Sequence, residues 1–189
     1  MRHRLIRSPL LALIAVVVLT GLFAPGLAAQ ESTPGAGGPI SVIELAPGFT
    51  AEIFAAAPSA RAPSQTVYLA RFVIQPGAEL FPHGHPGTTV LGVAEGTLGW
   101  TLLEGTAHVI RGAAAGATGP AEDVTEPGTE VVLEVGDSIF YEDDVIHTAR
   151  GAGDEETVVW GTFVLTSGEP LVMPADEMAG MGMEATPAP

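Results

Sequence analysis

The chain has no cysteine, no lysine and no asparagine among its 189 residues. Without cysteine there is no disulfide framework, no thiolate metal site, no cysteine nucleophile and no acylated lipoprotein cysteine. Without lysine there is no Schiff base and no phosphate-loop lysine. Without asparagine there is no N-glycosylation acceptor. Positive charge is also scarce. Seven arginines face 22 acids, for a formal net charge of −15. Such a balance excludes nucleic acid and argues against anionic membrane surfaces as partners. The length fits one domain.

What is present begins with an address. Residues 1–29 hold Arg2, Arg4 and Arg7 and no acid, then an apolar run from Leu10 to Phe23, then Pro25, Gly26 and the small pair Ala28-Ala29. This order of basic, apolar and small-residue zones predicts a secretory signal. The apolar run is shorter than the ~20 residues a spanning helix needs. The expected location is therefore secreted, periplasmic or cell-surface; the alternative is anchoring by an uncleaved N-terminal segment, which would be the sole membrane contact. Cleavage would leave four arginines against the 22 acids, a net of −18.

Residues 30–39 read as a Pro/Gly/Ser linker. Residues 168–189 read as a disordered tail containing Met173, Met178, Met181 and Met183. Clustered thioethers can hold Cu(I), whereas the plainer account is a low-complexity tail. Between them, residues 40–167 show short Val/Ile/Thr/aromatic segments separated by turn pairs such as Pro76-Gly77, Glu95-Gly96, Glu104-Gly105, Pro127-Gly128 and Gly136-Asp137. No helical period is sustained, so an all-β sandwich or barrel is expected. Residues 112–127 are expected to form an inserted loop, read first as a tolerated surface insertion.

The histidines carry the chemistry. His83 and His85 are two apart, and in an extended strand such residues share a face, with Cα atoms ~6.6–6.8 Å apart. Two imidazoles there can converge on one ion. Gly77-Ala-Glu-Leu-Phe-Pro-His83-Gly-His85-Pro-Gly-Thr-Thr89-Val-Leu-Gly-Val-Ala-Glu-Gly96 resembles the first motif of the cupin family, and Gly136-Asp-Ser-Ile-Phe-Tyr-Glu-Asp-Asp-Val-Ile-His147 resembles the second. The resemblance implies a single antiparallel double-stranded β-helix, a jelly-roll barrel, with metal ligands His83, His85 and His147. It departs from the pattern at Thr89, where the family usually has a Glu ligand, and at Glu142, Asp144 and Gly151.

The implied cofactor is a divalent transition metal, with Fe, Zn, Cu, Ni and Mn all open; imidazole suits all but Mn best. Two functional classes follow. One is a metal-dependent oxygenase or lyase/isomerase acting on a small organic acid or sugar. The other is a metal-free barrel that binds a small ligand or serves a structural role. A small molecule is the expected partner in both, and a homodimer fits the resemblance. Glu79, four residues before His83, is a candidate catalytic acid or substitute ligand; its bland alternative is a rim carboxylate. His108 lies outside both motifs and is not expected to bind metal. Phe72, Phe81, Trp100, Tyr141 and Trp160 are expected to fill the barrel or its mouth. Arg71 and Arg150 are expected to pair with surface acids, and Glu142-Asp143-Asp144 to form a solvated turn near the rim.

Overall fold

The structure is a computed structural model, described over residues 38–112 and 121–181. The expected signal at 1–29, residues 30–37 of the linker, part of the 112–127 insertion and the end of the tail lie outside the described residues. No helix among those described is long and apolar enough to cross a membrane.

Thirteen strands are described, β1 (Ser41–Ala46), β2 (Phe49–Pro58), β3 (Gln65–Ile74), β4 (Glu79–Gly84), β5 (Gly87–Glu95), β6 (Leu98–Glu104), β7 (Ala107–Ile110), β8 (Glu122–Val124), β9 (Glu130–Leu133), β10 (Ser138–Tyr141), β11 (Ile146–Gly151), β12 (Thr157–Thr166) and β13 (Met173–Pro174), followed by one helix, α1 (Ala175–Met181). They form two antiparallel sheets, ordered β1-β2-β3-β12-β5-β10-β7-β8 and β13-β4-β11-β6-β9. Two antiparallel sheets of this kind fit the jelly-roll barrel that the resemblance of the two sequence motifs implies.

Alternation builds the interior. Along β12, Val159, Phe163 and Leu165 are buried while Trp160, Thr162 and Thr166 are exposed, the period-two signature of a strand with one wet face. The five expected turns hold, and Gly77, Gly96, Gly105, Gly128 and Gly136 all carry positive φ.

Two expectations change. Residues 112–127 are not wholly a loop, because Glu122–Val124 forms β8 and pairs with β7. Its three residues are too short and too acidic to stand out as a strand; the ladder with β7 supplies what periodicity lacks. The start of the presumed disordered tail is ordered: β13 pairs with β4 through Met173↔Gly84 and Pro174↔His83, and α1 follows. Met173 is buried and Met178 packs close to Gly84, so these two thioethers act as packing groups. A Cβ at Gly84 would lie 3.0 Å from the Val145 carbonyl oxygen and 3.1 Å from Met178 Cε, which leaves only glycine room between the two histidines. Met183 lies outside the described residues.

Candidate metal centre

β4 brings His83 inward by breaking its own alternation. In the β4–β11 ladder, His83 faces His147 and Leu80 faces Ala149. Three steps on β4 therefore match two on β11, which marks a bulge around Phe81-Pro82. Pro82 has no N–H to give a ladder bond, and bulges are where strands tolerate proline. The bulge turns both Leu80 and His83 inward.

It also corrects the reading of Glu79. Simple parity would place Glu79 on the face of His83; the bulge instead leaves it exposed, opposite Arg150. Glu79 is exposed and lies outside the group formed by the three histidines. Phe81 and Trp160 are likewise exposed, at 41% and 37%, rather than filling the barrel. Trp160 packs outside with Phe54 at 5.2 Å between centroids, beneath Arg71. Phe72, Trp100 and Tyr141 are buried as expected.

His83, His85 and His147 come together. All three are buried, and one ring nitrogen from each lies within 4.8 Å of the others. Ring centroids are 4.2 Å apart for His83–His147, 5.2 Å for His83–His85 and 5.4 Å for His85–His147. His83 Nδ1 donates to the Phe81 carbonyl at 2.7 Å and His85 Nδ1 to the Leu171 carbonyl at 2.5 Å. These bonds fix the tautomer, leaving each Nε2 lone pair free. His147 stacks on Trp100 at 5.0 Å, its Nε2 is 3.3 Å from the Tyr141 hydroxyl, and its Nδ1 is buried without a partner.

The three rings are held neutral. Burial pushes His83 down to about 4, partly offset by its bond to Phe81. Burial and then the neighbouring His83 push His85 down to about 3. Burial and both neighbours hold His147 well below the ordinary histidine value. Three neutral, converging imidazoles, two with oriented backbone partners, fit a transition ion. An unpartnered buried polar atom costs ~1–3 kcal/mol, and an ion would offset that cost only by binding His147 through Nδ1.

A cavity of about 20 Å³ adjoins the rings, lined by them and by apolar side chains including Phe49, Phe72, Leu80, Val159 and Val172. That is room for about one water molecule. No charged side chain lines it, so the protein offers no arginine to an organic acid there. Arg71 pairs instead with Glu52 and Arg150 with Glu130, as expected. His108 binds Asp123 on the outside, away from the cluster. Glu142 is exposed and accepts a hydrogen bond from Thr88.

Sequence reasoning missed the Leu171 carbonyl and Val172, which cover the site from the presumed tail. It also treated Tyr141 as filler. The inward parity of Ile139 and Tyr141 on β10, six residues before His147, was the available clue.

No family model matches the chain, and no curated protein matches it. Among solved structures it is similar to a cupin superfamily protein from Desulfitobacterium hafniense, at 12% identity and a TM-score of 0.41 over 67% of this chain and 80% of that one. It is also similar to a mutant oxalate decarboxylase of Bacillus subtilis, at 18% identity and TM-score 0.47 over 75% of this chain and 31% of that one. A third is the Lactobacillus farciminis oxalate decarboxylase in a formate complex, at 16% identity and TM-score 0.46, with 75% and 35% covered. The chain thus spans about a third of the length of the two decarboxylases. These likenesses concern the barrel; the site rests on this chain's own residues.

Proposed function

We propose that this is an exported barrel protein that holds one divalent transition ion on His83, His85 and His147 and binds or transforms a small molecule beside it. The convergence of three buried, neutral imidazoles carries the reading. Export rests on the basic and apolar pattern of residues 1–29.

When bound, such an ion supplies an open, Lewis-acidic position that can polarise a ligand or lower the pKa of a water. The chain's own residues do the rest. The Phe81 and Leu171 carbonyls orient His83 and His85. The wall of Phe49, Phe72, Leu80 and Val159 excludes bulk water. Because no charged group lines that wall, it suits an uncharged or apolar molecule better than a free organic acid. Val172 lines the cavity beside the rings, and the Leu171 carbonyl next to it holds His85.

Elemental analysis of the exported, purified protein tests this reading. One equivalent of a transition ion is expected, and it should be lost in His83→Ala and in His147→Ala. Stoichiometric iron, copper or manganese would direct attention to redox chemistry; zinc or nickel would direct it to hydrolytic, isomerase or binding roles. Protein that takes up no ion, or a double variant that keeps its full content, would leave a metal-free ligand-binding barrel instead.

A further inference from the structure

An acid-rich chain keeps one broad surface almost free of charge. β3, β12 and β5 lie side by side in the larger sheet. Together they carry one acid, Glu95 at the end of β5, and one base, Arg71. Arg71 is bonded to Glu52 on β2, so this pair adds no net charge. The outward positions are apolar instead. Val42, Val67, Leu69, Val90 and Trp160 are 37–60% exposed.

The ladders make these residues one face, because cross-strand partners share a side of the sheet. Val42 pairs with Glu52, Glu52 with Arg71 and Arg71 with Trp160. In the next outward row, Leu69 pairs with Thr162 and Thr162 with Val90. In the row beyond, Val67 pairs with Val164. Scattered apolar side chains on a surface need no explanation, but a contiguous patch marks a surface that is covered.

We propose that this outer face of the larger sheet is the two-fold interface of a homodimer, with the same face of a second copy as its occupant.

Charge selects the occupant. Two chains of net charge −15 repel each other, and a neutral face is where that repulsion is least. A basic partner would be drawn to the acids elsewhere on the chain, and an anionic membrane would be repelled. A second copy brings apolar area with little charge to desolvate, and it matches the face under a two-fold axis. Size agrees. β2, β3 and β12 have ten residues each and β5 has nine. At ~3.3 Å per residue and ~4.8 Å between strands, these four outline ~600 Å² per copy. Side-chain relief adds to that outline, so two copies bury at least ~1,200 Å², where stable interfaces begin. The face lies outside the barrel, so the interface stands whether or not the three histidines hold an ion.

The wild-type protein carries its own reporter. It has two tryptophans, Trp100 fully buried and Trp160 on the patch. Sedimentation equilibrium of the exported, purified protein, combined with acrylamide quenching, provides the test over about 0.1–100 µM, a range chosen for interfaces of this size. The mass of two copies is expected at the upper end, and Trp160 should become more quenchable as dilution separates them. Added salt should tighten the dimer by screening the charge between copies, the reverse of an interface held by ion pairs. Leu69→Glu places like charges across the axis and should weaken association more than ~100-fold. Its circular dichroism should stay unchanged, since position 69 faces solvent in a single copy. Val132→Glu, exposed on the smaller sheet, should leave the dimer intact. A single-copy mass throughout the range would overturn the proposal. So would a dimer whose Trp160 is quenched as readily as in the monomer, or one that survives Leu69→Glu. Mass and quenching of the wild type decide even if the variant does not fold.

Discussion

His83, His85 and His147 stay neutral because an apolar interior cannot hydrate an imidazolium, and their mutual closeness adds to the penalty. In the unfolded chain each would titrate near 6.5. Their folded pKa values are lowered, so between about 6.5 and 4 the unfolded state binds more protons and stability falls with falling pH. The contribution is intact above about pH 6.5 and is lost progressively as acid approaches the folded values. Asp137 acts in the same direction. Burial alone would raise its carboxyl, but the Glu134 and Gly112 amides and Arg111 hold it below its ordinary value. For metal-free protein, urea denaturation at pH 5 should show roughly 2 kcal/mol less stability per buried imidazole than at pH 7. An equal midpoint at both pH values would mean the rings are not buried as described. Glu79 offers a second check at this scale. Because it faces solvent opposite Arg150, Glu79→Gln should leave metal content unchanged, whereas a loss of ion would return it to the site.

Elements decide what the sequence made legible. The turns, the β12 alternation and the triad could be read directly, since glycine at turns, period two and His spacing are local properties of the chain. The bulge around Phe81-Pro82 could not. Its effect depends on the partner strand β11, and one extra residue reverses parity for everything before it. The covering segment was also hidden, because β13 pairs through two residues and draws its order from docking against β4 rather than from its own propensity. The carbonyl of Leu171, which orients His85, could not be seen because any residue has one. Removing this segment should expose its importance. A chain ending at Ser167 should keep its β-sheet circular dichroism and bind its ion 10–100-fold more weakly, the usual cost of losing an orienting partner. Unchanged affinity in calorimetric titration would show that Leu171 merely covers the site.

At the scale of the molecule, the ion would join strands that are far apart in sequence, in a chain with no disulfide. Binding to the folded state alone stabilises by about 2.7 kcal/mol when free ion is 100-fold above Kd. For a chain this size that corresponds to a Tm rise of roughly 5–10 °C. Chelation should remove the increment, and readdition should restore it; a melting curve indifferent to both, in protein shown to carry the ion, would contradict the proposed site. The seam made by β13 with β4, together with Leu171 over His85, has a temporal side as well. The segment pairs with the strand that carries His83 and holds His85 through one carbonyl. Departure of a bound ion would then be slowed for as long as that segment stays docked. Occupancy would then record the metal supply met during folding, and a later change of surroundings would alter it only slowly.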